Sequence, residues 1–223
     1  MPIITFPTVL TDSYSMLLIP EFSTYVAQKN YKAIHYISNK IFKFTCAFSV
    51  CVSSIFLIFA NDLGLAIYNN LETGFYFKVI SPLVFFMYMD HIIDCILKGL
   101  NKQFGVMCCN ILDLSITTCF IYFLLPVLGI NGYIASILFS ELLNFSVSLF
   151  QLIKYSKMKI DIIDWVIIPV ICSLISYFII IIFHFNLVDL RINLIANIIL
   201  FVLVYLFLFF VINKIRTKKV AEF

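Results

Sequence analysis

A chain of 223 residues that is 63% hydrophobic and only 12% charged is too apolar for a soluble domain, which carries about 45–50% apolar and about 25% charged residues and must cover its surface with polar groups. Lipid as solvent removes that requirement, so the composition points to an integral membrane protein with membrane lipids as its surroundings. The net charge of +3 is then no nucleic-acid signal, and no nucleic-acid partner is expected.

A spanning helix needs roughly 20 mostly apolar residues, because the hydrocarbon core is about 30 Å thick. Seven stretches meet that length, at about 1–22, 43–61, 78–98, 104–125, 132–153, 163–184 and 192–213. Barrel strands would instead alternate over segments of about 9–11 residues. The expected fold is therefore all-α, a polytopic membrane helix bundle of about seven transmembrane helices forming one transmembrane domain over 1–223.

In chain order, the first stretch carries Pro7, Asp12 and Pro20. Residues 30–43 place Ile34, Ile37 and Ile41 at helical spacing, with Lys32, His35, Lys40 and Lys43 mostly elsewhere on the wheel, which predicts an amphipathic interfacial helix before the second span. The 61–77 connection holds Gly64 and Gly74 and has room for a short surface helix. Gly99-Leu100-Asn101-Lys102 separates the third and fourth spans, and Pro126, Gly129 and Gly132 separate the fourth and fifth. The last stretch is the clearest, apolar from Leu194 to Ile212 except for Asn197.

Lysine and arginine mark cytoplasmic loops. The 23–43, 99–103 and 154–162 connections, with their flanks, and the C-terminal tail hold all of the 15 basic residues except Lys78 and Arg191. The alternation is consistent from loop to loop. It predicts a multi-pass protein of the cell membrane with a cytoplasmic C-terminus and an extracytoplasmic N-terminus. Met1 opens inside an apolar stretch with no charged n-region and no small-residue cleavage site, which is unlike a signal peptide. The chain reads as the continuation of a longer protein.

Ionisable residues at the centre of a span cost about 2.5–3.5 kcal/mol each on insertion scales and are functional suspects for that reason. Asp12, Asp90, Asp113 and Glu141 fall near the centres of four different spans, and Asp94 lies one turn from Asp90. Asp94 and Lys98 form an i,i+4 pair of favourable order, and Lys98 can snorkel to the surface. Two readings stay open: a polar, water-accessible cavity that handles ions or a polar substrate, or protonated, hydrogen-bonded packing residues. No lysine or arginine shares their depth, so protons, a metal cation or a partner's residues would have to neutralise them.

Catalytic chemistry is not indicated. GxxxxGK[ST], HExxH and GxSxG are absent. The seven cysteines, Cys46, Cys51, Cys95, Cys108, Cys109, Cys119 and Cys172, make no CxxC pair or Cys/His cluster with zinc spacing. They read as small hydrophobes. No catalytic residue, metal ligand or cofactor is expected.

The order of short motifs carries a resemblance. Phe6-Pro7-Thr8-Val9-Leu10-Thr11-Asp12-Ser13 leads to Leu18-Ile19-Pro20-Glu21-Phe22-Ser23; Ala66-Ile67-Tyr68, Ile80-Ser81-Pro82-Leu83 with Met87-Tyr88, Ile96-Leu97-Lys98-Gly99-Leu100-Asn101-Lys102-Gln103 and Pro126-Val127-Leu128-Gly129-Ile130-Asn131-Gly132-Tyr133 follow. In order and spacing the series resembles the second half of the stage V sporulation protein B-like family of polysaccharide-biosynthesis proteins, within the multidrug/oligosaccharidyl-lipid/polysaccharide exporter superfamily. The likeness runs over nearly the whole chain, with the last two spans matching mainly by hydropathy. At Asp90, Asp94 and Lys98 that family more commonly carries neutral polar residues, and no catalytic residue is carried over.

The resemblance implies the C-terminal part of a fourteen-helix, two-lobed transporter, spans eight to fourteen, with the N-terminal lobe missing. It implies a flippase for lipid-linked oligosaccharide or peptidoglycan precursor in spore cortex or cell-wall synthesis, with the missing lobe or a homo-oligomer as partner. The alternatives are a cation-coupled multidrug exporter of the same superfamily and a non-transporting remnant or assembly subunit.

Overall fold

The computed structural model describes residues 7–156, 162–182 and 190–221; the side chains of Leu10, Asp12, Leu190 and residues 217–221 also lie outside the description. Every element among the described residues is helical: α1 (Thr8–Ala27), α2 (Tyr31–Ile58), α3 (Ala60–Tyr68), α4 (Leu71–Gly99), α5 (Gln103–Leu128), α6 (Ile130–Ser156), a π-helical turn (Ile163–Ile167) running into α7 (Ile168–Ile182), and α8 (Leu190–Ala221). The protein is an all-α membrane helix bundle. Six helical stretches among the described residues are long and apolar enough to cross a bilayer: α2, α4, α5, α6, the π-turn with α7, and Arg191–Arg216 of α8.

The first predicted stretch, 1–22, falls partly on α1, while residues 1–6 lie outside the description. α1 is not among the six. Glu21 and a series of hydroxyls dilute its apolar character, and the hydroxyls bond back to the helix's own carbonyls, Thr11 to Thr8 at 2.7 Å and Ser15 to Thr11 at 2.6 Å. The amphipathic segment 30–43 is the first half of α2 and continues without a break into the apolar half, since no proline or glycine interrupts Tyr31–Ile58. Asn30 starts it by accepting the Ala33 N–H at 3.2 Å, the usual work of an N-cap amide. The 61–77 connection contains the short α3. Residues 183 and 184 of the predicted sixth span lie outside the description.

Asparagines end two helices in the left-handed conformation, Asn69 at φ 52° and Asn101 at φ 62°, a geometry asparagine tolerates better than most side chains. Pro126 does not end α5, which runs two residues further. The break comes at Gly129, with φ 58° and ψ −137°, a region essentially reserved for glycine. No atom lies within 4 Å of where its Cβ would stand. Gly129→Ala is therefore expected to cost backbone strain alone, on the order of 1–3 kcal/mol, read as a lowered melting midpoint of the detergent-solubilised protein; an unchanged midpoint would show that the turn relaxes.

The chain divides into two compact units. The first comprises Met1–Thr45 with Leu83–Ile160, the second Cys46–Pro82 with Asp161–Phe223, and α2 and α4 run through both. In the first unit α1 meets the end of α4, where Gly99 lies against Phe22 and Ile19. Phe86 of α4 and Phe145 of α6 meet at 5.3 Å between ring centres, and Phe120 of α5 and Phe139 of α6 at 5.1 Å. In the second unit Phe56 stacks on Phe77 and Phe59 meets Phe201 edge-on. There Ser53 of α2 also donates to the Ser81 carbonyl of α4 at 2.7 Å.

Candidate intramembrane polar site

The first unit brings polar side chains together on α4, α5 and α6. Asp90 and Asp94 sit one turn apart on one face of α4, only 8% and 7% exposed. An apolar helix interior tolerates such groups only when they are hydrogen-bonded. Asn144 of α6 donates its amide nitrogen to Asp90 Oδ2 at 2.8 Å, and Asn110 of α5 donates to Asp94 Oδ2 at 3.0 Å. A carboxylate only accepts, so it fixes which way each amide faces. The second oxygen of each, Oδ1, is buried without a hydrogen bond of ordinary geometry among the described residues, although the Ser148 hydroxyl of α6 also interacts with the Asp90 carboxyl.

Asp113 of α5 accepts a hydrogen bond from Ser140 of α6, and the Ser140 hydroxyl also meets that of Thr117. Thr117 in turn donates to the Asp113 carbonyl at 2.8 Å. Glu141 follows Ser140 on α6 and interacts electrostatically with Asp90 and Asp113, while Asp90 also interacts with Asp94 and Asp113. A cavity of about 240 Å³ between α5 and α6 reaches this network, lined by Asp113, Ser140 and Asn144 among Cys109, Ile116 and Leu143. Further along, Gln151 donates to the Cys109 sulfur at 2.9 Å.

Four of the five acidic residues singled out by the sequence, Asp90, Asp94, Asp113 and Glu141, thus belong to one electrostatically linked group. The fifth, Asp12, is a residue of α1 whose side chain lies outside the description. Asp94 takes its hydrogen bond from Asn110 and not from Lys98, whose charge acts on it at longer range. Among the described residues no three His, Cys, Asp or Glu side chains converge as a metal site would require.

Sequence reasoning missed the neutral partners. Their signal is a period: Gly132, Ser136, Ser140, Asn144 and Ser148 recur at every fourth residue of α6. Residues four apart stack on one helix face, so α6 presents a stripe of small and polar residues. Small residues let membrane helices approach closely, and hydroxyls and amides bond across the interface.

No family model matches the chain, and no solved structure matches it. Over 135 residues, 59% of the chain, it is 27% identical to stage V sporulation protein B of Bacillus subtilis (strain 168), and the match covers 26% of that protein. The likeness is distant and partial. It is shorter than the near-complete run of motifs read from the sequence, and the chain spans about a quarter of the curated relative it matches.

Proposed function

We propose that the chain forms part of a membrane flippase for a lipid-linked oligosaccharide or peptidoglycan precursor, a transporter and not an enzyme. Asp90, Asp94, Asp113 and Glu141 line the polar side of its path. The observation that carries the reading is the pair of buried carboxyls Asp90 and Asp94, one turn apart on α4, each with an Oδ1 that lacks a hydrogen bond of ordinary geometry while Asn144 and Asn110 take up the Oδ2 atoms. Buried polar groups are kept in a membrane helix where they meet water, ions or substrate. Sugar hydroxyls and amides are the donors such acceptors suit. The similarity to stage V sporulation protein B and the apolar helices support the transporter class. A diphosphate needs basic partners, which this carboxylate group does not offer, so that end of the substrate is assigned to an N-terminal lobe or a second copy.

A cation-coupled multidrug exporter is the second reading. It is favoured by the same acidic group, whose direct hydrogen-bond partners are all neutral. The two separate in proteoliposomes holding the full-length transporter. The first expects movement of a fluorescent polyprenyl-diphosphate sugar, with little export of a lipophilic cation such as ethidium; the reverse pattern would overturn it in favour of the second.

The proposed orientation puts the α3–α4 turn outside and the α4–α5 turn in the cytoplasm. In a variant with its accessible cysteines changed to serine, a cysteine at Asn70 is expected to react with an impermeant maleimide applied to intact cells. One at Asn101 is expected to react only after permeabilisation. The opposite pattern would invert the topology.

A further inference from the structure

The second unit holds a cavity whose chemistry is opposite to that of the acidic group. It measures about 680 Å³ and is lined by Ser53, Ser54 and Leu57 of α2, Lys78 of α4, and Ser173 and Tyr177 of α7, with further apolar wall from Leu174. Among the described residues, no acidic side chain lines it. The Ser53 hydroxyl is committed to the Ser81 carbonyl at 2.7 Å and that of Ser173 to the Val170 carbonyl at 2.9 Å. Lys78, Ser54 and Tyr177 make no hydrogen bond or ion pair with the described residues. One ammonium and two hydroxyls therefore remain as donors around a single space.

Depth gives that space a ligand class. α4 has 29 residues, about 43 Å of helix at 1.5 Å per residue, against a hydrocarbon core of about 30 Å. Centred in the bilayer, it overhangs by about 6–7 Å at each end. Lys78 lies about 10 Å in from Leu71, just inside the boundary, where its flexible stem carries the ammonium to headgroup level. Leu57 and Leu174 are exposed apolar side chains on the same wall, suited to an alkyl chain. Lys78 also stands apart from the basic loops, so the charge bias that orients the chain does not account for it.

We propose that this cavity binds the phosphate of an anionic amphiphile, with Lys78 as its charge partner, Ser54 and Tyr177 as hydroxyl donors, and Leu57 and Leu174 along the first part of its chain. The volume lies within the range of about 300–1,000 Å³ typical of small-molecule sites. A membrane phospholipid and a polyprenyl phosphate both present this chemistry. The site does not depend on the carboxylate group or on what that group transports.

Native mass spectrometry of the purified chain in neutral detergent tests it, with phosphatidylglycerol, undecaprenyl phosphate, phosphatidylcholine and inorganic phosphate as probes. Both anionic amphiphiles are expected to be retained in preference to phosphatidylcholine. Lys78→Gln is expected to weaken that retention about tenfold, the scale of one charge-assisted hydrogen bond, and Lys78→Arg to keep most of it. If Lys78→Gln is recovered poorly, Tyr177→Phe and Ser54→Ala are the shape-preserving substitutes, each expected to weaken retention a few-fold. Stronger retention of phosphatidylglycerol identifies a structural lipid, and stronger retention of undecaprenyl phosphate identifies a carrier lipid. Equal retention of phosphatidylcholine, a preference unchanged in these variants, or capture of inorganic phosphate without either amphiphile would overturn the proposal.

Discussion

Replacing Asp90 and Asp94 together by asparagine is expected to lower transport by the full-length protein at least ~tenfold while the protein still inserts and folds. Tenfold corresponds to about 1.4 kcal/mol, the order of the difference between a charge-assisted and a neutral hydrogen bond. Asparagine keeps the volume of aspartate, and its carbonyl can still accept from Asn144 and Asn110, so the helix contacts persist. What is lost is the charge and one acceptor at each position, the Oδ1 that makes no hydrogen bond of ordinary geometry with the described residues. Transport is measured in proteoliposomes, and folding by monodispersity and melting midpoint. Unchanged transport by a normally folded double variant would reduce the pair to packing residues. Glu72→Gln is the proper comparison, since Glu72 is exposed in the first turn of α4. Asp164 is unsuitable despite its place at the predicted membrane edge. It is ion-paired with Arg216, the two side chains being 33% and 43% exposed, so neutralising it would confound stability with activity.

Long-range order in this chain was readable where one physical rule dominates. Six stretches of the sequence fall on helices long and apolar enough to span, because length and hydropathy alone set that requirement. The surface helix at 30–43 was harder. Amphipathicity reports which faces differ and says nothing about whether the helix stops, and Asn39 and Ser38 do not break a helix as proline would. The acidic residues stood out because charge in a span is rare. Asn110, Asn144, Ser140 and Thr117 did not, because neutral polar residues are ordinary in membrane helices. Only the four-residue period on α6 picks out Ser140 and Asn144, while Asn110 and Thr117 of α5 belong to no such stripe and are found only by knowing which helix faces α6. The Lys98 pairing shows the converse: sequence spacing made the contact available, while a neutral amide from another helix took the hydrogen bond.

Tyr205→Ala is expected to be the most damaging single change in the second unit, by about 3–5 kcal/mol on the scale of buried aromatic truncations. Tyr205 of α8 is 1% exposed. Its ring stacks on Phe201 at 6.2 Å and Phe209 at 6.4 Å, and Phe201 packs edge-on against Phe59. Its hydroxyl donates to the Ala47 carbonyl of α2 at 2.7 Å, tying residues far apart in the chain. Lipid tails are as apolar as the helix surface, so burial as such drives little association here; dispersion in a filled interface and the interhelical hydrogen bond are what remain. The two contributions separate by variant. Tyr205→Phe keeps the ring and loses only the hydroxyl, and interhelical hydrogen bonds in membranes are worth about 0.6 kcal/mol on average. It is therefore expected to shift the melting midpoint slightly, while Tyr205→Ala leaves a hole beside Phe201 and Phe209 that rigid neighbouring helices cannot close. Thermal denaturation of both variants in the same detergent decides between them. Equal destabilisation by the two would mean that the hydroxyl, and not the aromatic stack, holds α8 to α2.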